Sequence, residues 1–197
     1  MINNWTIKSI KDISQNIILS DFNCIPDNLN IGKYSNPKKD YELINEFLTN
    51  NALDYAVRDI MQTFIFISKK NNKIIGYFSL SAGSKRVYNS FKKNKDNVPT
   101  IGRNTELPTV DMIWFAIDHE FQRLGFGEVM MQQIFKMVNH ISLEIGICLF
   151  TVDSIRDSQS YYRKYGFLDV NDGTGNIKGD KFMAIQTKEV IQLLKSK

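Results

Sequence analysis

Apolar residues recur every second position in some stretches of this chain and every third or fourth in others, and these two periods assign its elements. Trp5–Ile10 alternates and predicts a first strand. Asp40–Met61 carries Leu43, Ile44, Phe47, Leu48, Leu53, Ala56, Val57, Ile60 and Met61 at helical spacing, which predicts one long helix with a single apolar face. Thr63–Ser68 and Ile74–Ser81 flank the polar Lys69–Lys73 and predict a hairpin. Thr109–Ile117 predicts a central strand. The following amphipathic helix, Glu128–Ile145, collects Val129, Met130, Ile134, Met137, Val138, Ile141 and Ile145 on one face, and Gly146 is its natural stop. Ile147–Val152 is apolar at nearly every position, as a strand covered on both faces must be. Asp157–Lys164 predicts a short helix stopping at Gly166. Phe167–Val170 and Lys181–Gln186 predict a second hairpin, and Lys188–Leu194 a closing helix. Ala82–Pro108 has little periodicity beyond a short helical stretch near Val87–Lys93, and loops of that length are usually functional or disordered. The order is therefore mixed α/β. The strand–helix–strand unit from Thr109 to Val152 predicts a right-handed crossover between parallel strands.

Composition narrows the class. A chain of 197 residues, 43% hydrophobic and 23% charged, is expected to form one globular domain over 1–197. No apolar run reaches the roughly 18 residues that a membrane span needs, and the N-terminus lacks a secretory pattern, so a cytoplasmic protein with no membrane partner is expected. Cys24 and Cys148 are far apart and predict two reduced thiols. Two histidines and two cysteines without ligand spacing predict no metal site. The net charge of +4 is concentrated. Ala82–Pro108 holds Lys85, Arg86, Lys92, Lys93, Lys95 and Arg103 against Asp96 and Glu106, so six positive charges less two negative leave the rest of the chain neutral. Such a segment suits a polyanionic partner, and equally a solvated loop.

The candidate chemistry starts at Gln122-Arg123-Leu124-Gly125-Phe126-Gly127, between the central strand and the long helix. A glycine-spaced turn leaves backbone N–H groups free at a helix N-terminus, where the helix dipole favours an anion, most often a phosphate. Gly125 can let the chain approach a ligand closely or take a positive φ, and Gly127 has no Cβ to obstruct the first helical turn. A plain strand-to-helix connection would use the same residues. Asp111 shares a strand face with Ile113, Phe115 and Ile117 by period-two counting, which makes it a candidate base, with Glu106 and Asp118 behind it.

The segment Q-x-x-G-x-G after Phe115-Ala116-Ile117-Asp118 resembles the acetyl-CoA motif of the GNAT superfamily of N-acetyltransferases. Ser160-Tyr161-Tyr162-Arg163-Lys164-Tyr165-Gly166-Phe167 resembles that family's second signature. The resemblance implies a GNAT-like three-layer fold, its mixed, mostly antiparallel central sheet splayed at two parallel strands, with acetyl-CoA as co-substrate in the splay. It implies that backbone groups of Phe115, Ala116 and Ile117 hold the pantetheine arm. Gln122, Arg123, Leu124, Gly125, Phe126, Gly127 and Glu128 would then cradle the pyrophosphate. It makes Tyr162 the general acid at the departing thiolate, a task suited to a phenol that stays protonated near pH 7; aromatic packing is the other reading of this residue. Where the family often has an asparagine, six residues before the tyrosine, this chain has Arg156, which would reach a cofactor phosphate or remain at the surface.

The acceptor implied is a primary amine. Phe22-Asn23-Cys24, Ile44–Leu48, Asn51–Tyr55 and Ile74–Ser84 further resemble the branch that includes toxins acetylating the aminoacyl group of charged tRNA. That branch implies tRNA bound by the basic segment 82–108 and an antitoxin partner; the family at large also implies a homodimer. An insertion-like stretch, Asn28–Tyr41, departs from the branch. A GNAT-fold module that binds coenzyme A or a partner without catalysis is the third reading.

Overall fold

The computed structural model describes residues 4–29, 37–87, 106–170 and 181–195. A seven-stranded sheet has the order β1-β2-β3-β4-β5-β7-β6. Its strands are β1 (Trp5–Ser9), β2 (Gln62–Ser68), β3 (Ile74–Arg86), β4 (Glu106–Ile117), β5 (Leu149–Ser154), β6 (Leu168–Asp169) and β7 (Lys181–Gln186). The β4–β5 pair is parallel, while β1–β2, β2–β3, β5–β7 and β6–β7 are antiparallel, the mixed sheet that the sequence implies. The helices are α1 (Lys38–Glu46), α2 (Ala52–Val57), α3 (Phe126–Glu144), α4 (Gln159–Arg163) and α5 (Thr187–Lys195). The chain divides into two compact units, residues 1–81 with 113–131 and residues 82–112 with 132–197.

In the first unit, β1, β2 and the first half of β3 form a meander. The hairpin between β2 and β3 turns where predicted, and Asn72 supplies the left-handed residue at φ 57°. A short polar side chain tolerates that conformation better than most. Tyr77 donates its hydroxyl to the Ile44 carbonyl at 2.7 Å, tying β3 to α1. Phe47 stacks on Trp114 with ring centroids 4.7 Å apart, a contact worth roughly 0.5–1.5 kcal/mol beyond its buried area.

The single helix predicted over Asp40–Met61 is corrected here. A π-helical turn, Phe47–Asn51, separates α1 from α2. Ile44, Phe47, Leu48, Ala52 and Ala56 are buried, whereas Leu43, Leu53, Val57 and Ile60 are about half exposed or more. A π turn accommodates one extra residue, so the inward row advances in fours rather than by the 3.6 that the sequence reading assumes.

In the second unit, β5 is buried on both faces over Leu149–Val152. Phe135, Phe150 and Phe167 pack edge to face, 6.1 and 5.4 Å between successive centroids. Asp169 on β6 accepts from Arg163 at 2.9 Å and from Lys181. Burial alone would raise its carboxyl, but these two cations outweigh it and hold its pKa below the usual carboxylate value. α3, whose residues up to Met131 belong to the first unit and the rest to the second, buries Met130, Met131, Ile134, Phe135 and Val138 and ends at Glu144; Ile145, expected on its apolar face, lies beyond that end and is exposed. The predicted helical stretch near Val87–Lys93 lies outside the described residues apart from Val87, as do Lys92, Lys93, Lys95, Asp96 and Arg103.

Candidate functional site

The parallel β4–β5 ladder covers four residue pairs and ends at Met112–Val152. β4 continues for five residues, of which only Ala116 is fully buried; Ile113, Trp114, Phe115 and Ile117 are half-buried. The strand therefore carries backbone past the last rung of that ladder. Phe115, Ala116 and Ile117, the expected pantetheine-binding residues, lie on this extension.

The turn after β4 belongs to the first unit and is held from several directions. Asp118 donates its N–H to the Ile75 carbonyl at 2.9 Å, and its carboxylate accepts the N–H groups of Asn23 at 2.9 Å and Glu120 at 3.0 Å. His119 donates its N–H to the Asn23 carbonyl at 2.8 Å. Gln122 gives its amide protons to the carbonyls of Cys24, at 2.8 Å, and Ile117, at 3.0 Å. Asn45 on α1 completes the clamp. Its Oδ1 accepts from the Cys24 N–H at 2.9 Å, and its Nδ2 donates to Asn23 Oδ1 at 3.0 Å. The motif Phe22-Asn23-Cys24, read in the sequence only as part of a branch resemblance, is thus the strap on this glycine turn. Cys24 is almost fully buried, and burial pushes its thiol up to about 12.

Just beyond this clamp the backbone turns left-handed twice, at Arg123 (φ 61°) and Gly125 (φ 86°). Gly125 was expected to do so; Arg123 was not. A non-glycine residue there costs of order 1–3 kcal/mol and persists only where its surroundings over-determine it. Backbone turns that mix right- and left-handed residues point successive N–H groups into one concavity, which suits an anion. α3 begins directly after Gly125, so its first N–H groups extend that concavity. Arg123, Leu124 and Glu128 are exposed, while Phe126 anchors the turn edge to face against Phe121 and Phe66. The residues present fit a diphosphate.

The second unit holds Tyr162, Asp111 and Arg156. Tyr162 sits on α4, 4% exposed, edge to face against Tyr161 and Phe167 at 5.5 and 5.7 Å. Gly166 at φ 85° ends the helix and lets Phe167 return under it, its N–H on the Tyr162 carbonyl at 3.4 Å. Burial raises the Tyr162 phenol well above its ordinary value, so it stays a proton donor at any physiological pH. Packing and proton donation are therefore compatible in this residue.

Asp111 is buried and already engaged. Its Oδ1 accepts the hydroxyls of Thr109 and Thr151, both at 2.6 Å, and its Oδ2 lies 3.4 Å from the Lys85 ammonium. That ammonium also stands 5.4 Å from the centre of the Phe182 ring. The Asp111 carboxylate rests on the backbone of Gly83, where a Cβ would come within 2.2 Å of Oδ2. Apart from Thr109, two residues away on the same strand, these partners were not anticipated, because Gly83, Lys85 and Thr151 come from other strands, distant in sequence. Glu106 accepts from Ser84 at 3.1 Å and pairs with Arg86 at 3.7 Å. Arg156 is exposed in a single 3-10 turn before α4.

Among the described residues no cluster of histidine, cysteine and acidic side chains could hold a metal ion, and no helix is long and apolar enough to cross a membrane. Both cysteines are free.

The Acetyltransferase (GNAT) family profile matches residues 33–167. No curated protein matches the sequence. Solved structures share the fold over nearly their whole lengths. KacT, as a tyrosine-to-phenylalanine variant, is 21% identical with a TM-score of 0.74, the alignment covering 96% of this chain and 99% of KacT. A tyrosine-to-phenylalanine variant of the toxin AtaT, bound to the C-terminus of the antitoxin AtaR, is 18% identical with a TM-score of 0.70 over 97% and 98% of the two chains. AtaT complexed with acetyl-methionyl-tRNAfMet is 22% identical, TM-score 0.70, over 96% and 98%.

Proposed function

The chain belongs to the GNAT acetyltransferase family, and from that premise we propose that it is a toxin-type enzyme acetylating the amine of an aminoacyl group on charged tRNA. Acetyl-CoA is the donor and supplies an activated thioester. The observation that carries the acyl-transfer reading is the clamped turn, with Arg123 and Gly125 left-handed at the start of α3. Backbone N–H groups from Arg123 to Glu128 bind the diphosphate, and the β4 extension at Phe115–Ile117 binds the pantetheine arm. Tyr162 keeps its proton because it is buried, and offers it to the sulfur as negative charge develops there.

The acceptor is chosen on chemistry and likeness together. The α-amine of an aminoacyl ester loses its proton more readily than a lysine, so it needs little help from a base. Asp111, whose Oδ1 is filled by two hydroxyls, then has the task of holding Lys85 rather than taking a proton. Lys85 and Arg86 begin the basic segment that would neutralise tRNA phosphates. AtaT and KacT, of the same fold and length, support this choice, and AtaT's partner AtaR motivates an antitoxin for this chain too. A small amine or peptide is the second reading, favoured by the modest net charge of +4.

The test is coenzyme A release from acetyl-CoA with charged tRNAs, polyamines, amino acids and peptides, beside a Gly125→Glu, Gly127→Glu double variant. Turnover on charged tRNA that weakens steeply with salt supports the reading. Turnover on small amines alone replaces it with the second.

A further inference from the structure

Asp111 and Lys85 form an ion pair assembled from β3, β4 and β5 within the second unit. Asp111 is 7% exposed and stands one rung before Met112–Val152, the last pair of the β4–β5 ladder. A buried carboxylate is destabilising unless its lone pairs are filled. Thr109 and Thr151 donate their hydroxyls to Oδ1, and Gly83 leaves the room that Oδ2 occupies. Oδ2 then faces the Lys85 ammonium at 3.4 Å.

Lys85 is the member of the pair that reaches solvent. Its side chain is 34% exposed, against 9% for Asp111. The ammonium is held from two sides, by Oδ2 and by the Phe182 ring, whose centre is 5.4 Å away. A lysine on a flexible stem loses rotamer entropy when it makes a contact, and one already held loses less. The pair is a dipole with its carboxylate inward, so an anion arriving from solvent meets the ammonium first. Arg86 is the contrast. Burial alternates along this stretch of β3, and the two cations fall on opposite faces. Arg86 pairs with Glu106 at 3.7 Å, and both of those side chains are more than half exposed. A surface pair of that kind fixes little.

We infer that Asp111 is a positioning residue, holding Lys85 as a preset contact for one phosphate of the RNA acceptor. The inference rests on the charged-tRNA reading above and goes beyond it by dividing the first two cations of the basic segment. Lys85 makes a fixed contact, and Arg86 adds diffuse charge.

Coenzyme A release with charged tRNA varied, at several salt concentrations, tests it in the full-length protein. Lys85→Met is expected to raise the KM for charged tRNA at least about tenfold, the scale of a lost charge-assisted hydrogen bond. It is expected to reduce the slope of log KM against log salt by about one. Arg86→Met is expected to raise KM less than about fivefold.

Asp111→Asn gives the separating result. It removes a negative charge, so a carboxylate that merely offset Lys85 would leave tRNA binding tighter in its absence. A carboxylate that positions Lys85 leaves binding weaker, and KM is expected to rise about fivefold. The salt slope is expected to stay undiminished and kcat to hold within about twofold, the pattern of lost binding rather than lost chemistry. The Lys85→Met, Asp111→Asn double variant leaves no unpaired buried charge and is expected to match Lys85→Met. Wild-type KM in Lys85→Met or in the double variant would overturn the inference, as would a lower KM in Asp111→Asn. A fall in kcat with unchanged KM in Asp111→Asn would make it a base and overturn the inference too. Melting temperature and the KM for acetyl-CoA are read alongside. If every variant melts lower and both KM values rise together, the pair serves the fold alone and the inference is overturned. Each of these outcomes leaves the acceptor reading standing, whereas wild type that turns over small amines alone would overturn both.

Discussion

Gln122 and Cys24 are 98 residues apart in sequence, and the Gln122 amide meets the Cys24 carbonyl at 2.8 Å. This bond and its twin to Ile117 pin the chain immediately before Arg123, the residue forced into a left-handed conformation. The leading glutamine of the glycine turn thus shapes the anion concavity through its carbonyl partners. Gln122→Ala strands both carbonyls and frees the strap. At about 1–3 kcal/mol for groups left unsatisfied, the KM for acetyl-CoA is expected to rise at least tenfold, with kcat within a few-fold of wild type. Steady-state kinetics with acetyl-CoA varied decides it; an unchanged KM would remove the clamp from the account of cofactor binding.

Tyr162→Phe keeps the ring against Tyr161 and Phe167 and removes the hydroxyl that carries the proton. Turnover is expected to fall by about 10²–10⁴, the usual range for a positioned acid, while acetyl-CoA affinity and melting temperature hold. Because burial raises the phenol, the wild-type rate is expected to show no alkaline decline from this group up to about pH 10, its ordinary value. A pH–rate profile that loses an alkaline limb near neutrality in the variant would contradict that assignment.

Gly83→Ala sets a methyl group 2.2 Å from the Asp111 carboxylate, so strand or carboxylate must move. A loss of about 1–3 kcal/mol is expected, read by urea denaturation. A Gly83→Ala, Asp111→Ala double variant should recover part of it, since the nearest colliding group is gone and only the Thr109 Oγ1, 2.8 Å away, remains. A fully additive result would show that the two positions are not coupled.

Asp169 makes stability depend on acid. Its folded pKa lies below the unfolded value, so its contribution is complete above about pH 4, the ordinary carboxylate range, and is lost as pH falls through the folded value. Asp169→Asn should therefore be less stable than wild type at pH 7 and converge with it near pH 3. Parallel melting-temperature curves across that range would rule out the two cations as the cause.

The parts of this architecture that depend on local pattern were readable from residues. Gly125 and the strand-to-helix turn follow from spacing, and β7 and α5 from alternation and periodicity. Family likeness singled out Tyr162 as a candidate and implied the mixed sheet with its one parallel pair. What depends on partners distant in sequence was hidden. Nothing near Asp111 announces Thr151 or Gly83, and nothing near Gln122 announces Cys24. Arg123 looked like a charge beside a phosphate, whereas its backbone angle is what the turn requires.

The π turn at Phe47–Asn51 bears on how distant relatives are lined up with this chain. A homologue with an uninterrupted α-helix here would be one residue shorter, and an alignment carried through without a gap would set Asn51 and Tyr55 opposite its core positions. Ala52 and Ala56 are the true counterparts of those positions. At identities near 20% that single offset would place the exposed Asn51 in an apparent core, and would assign the wrong side chains to the wall beside Trp114.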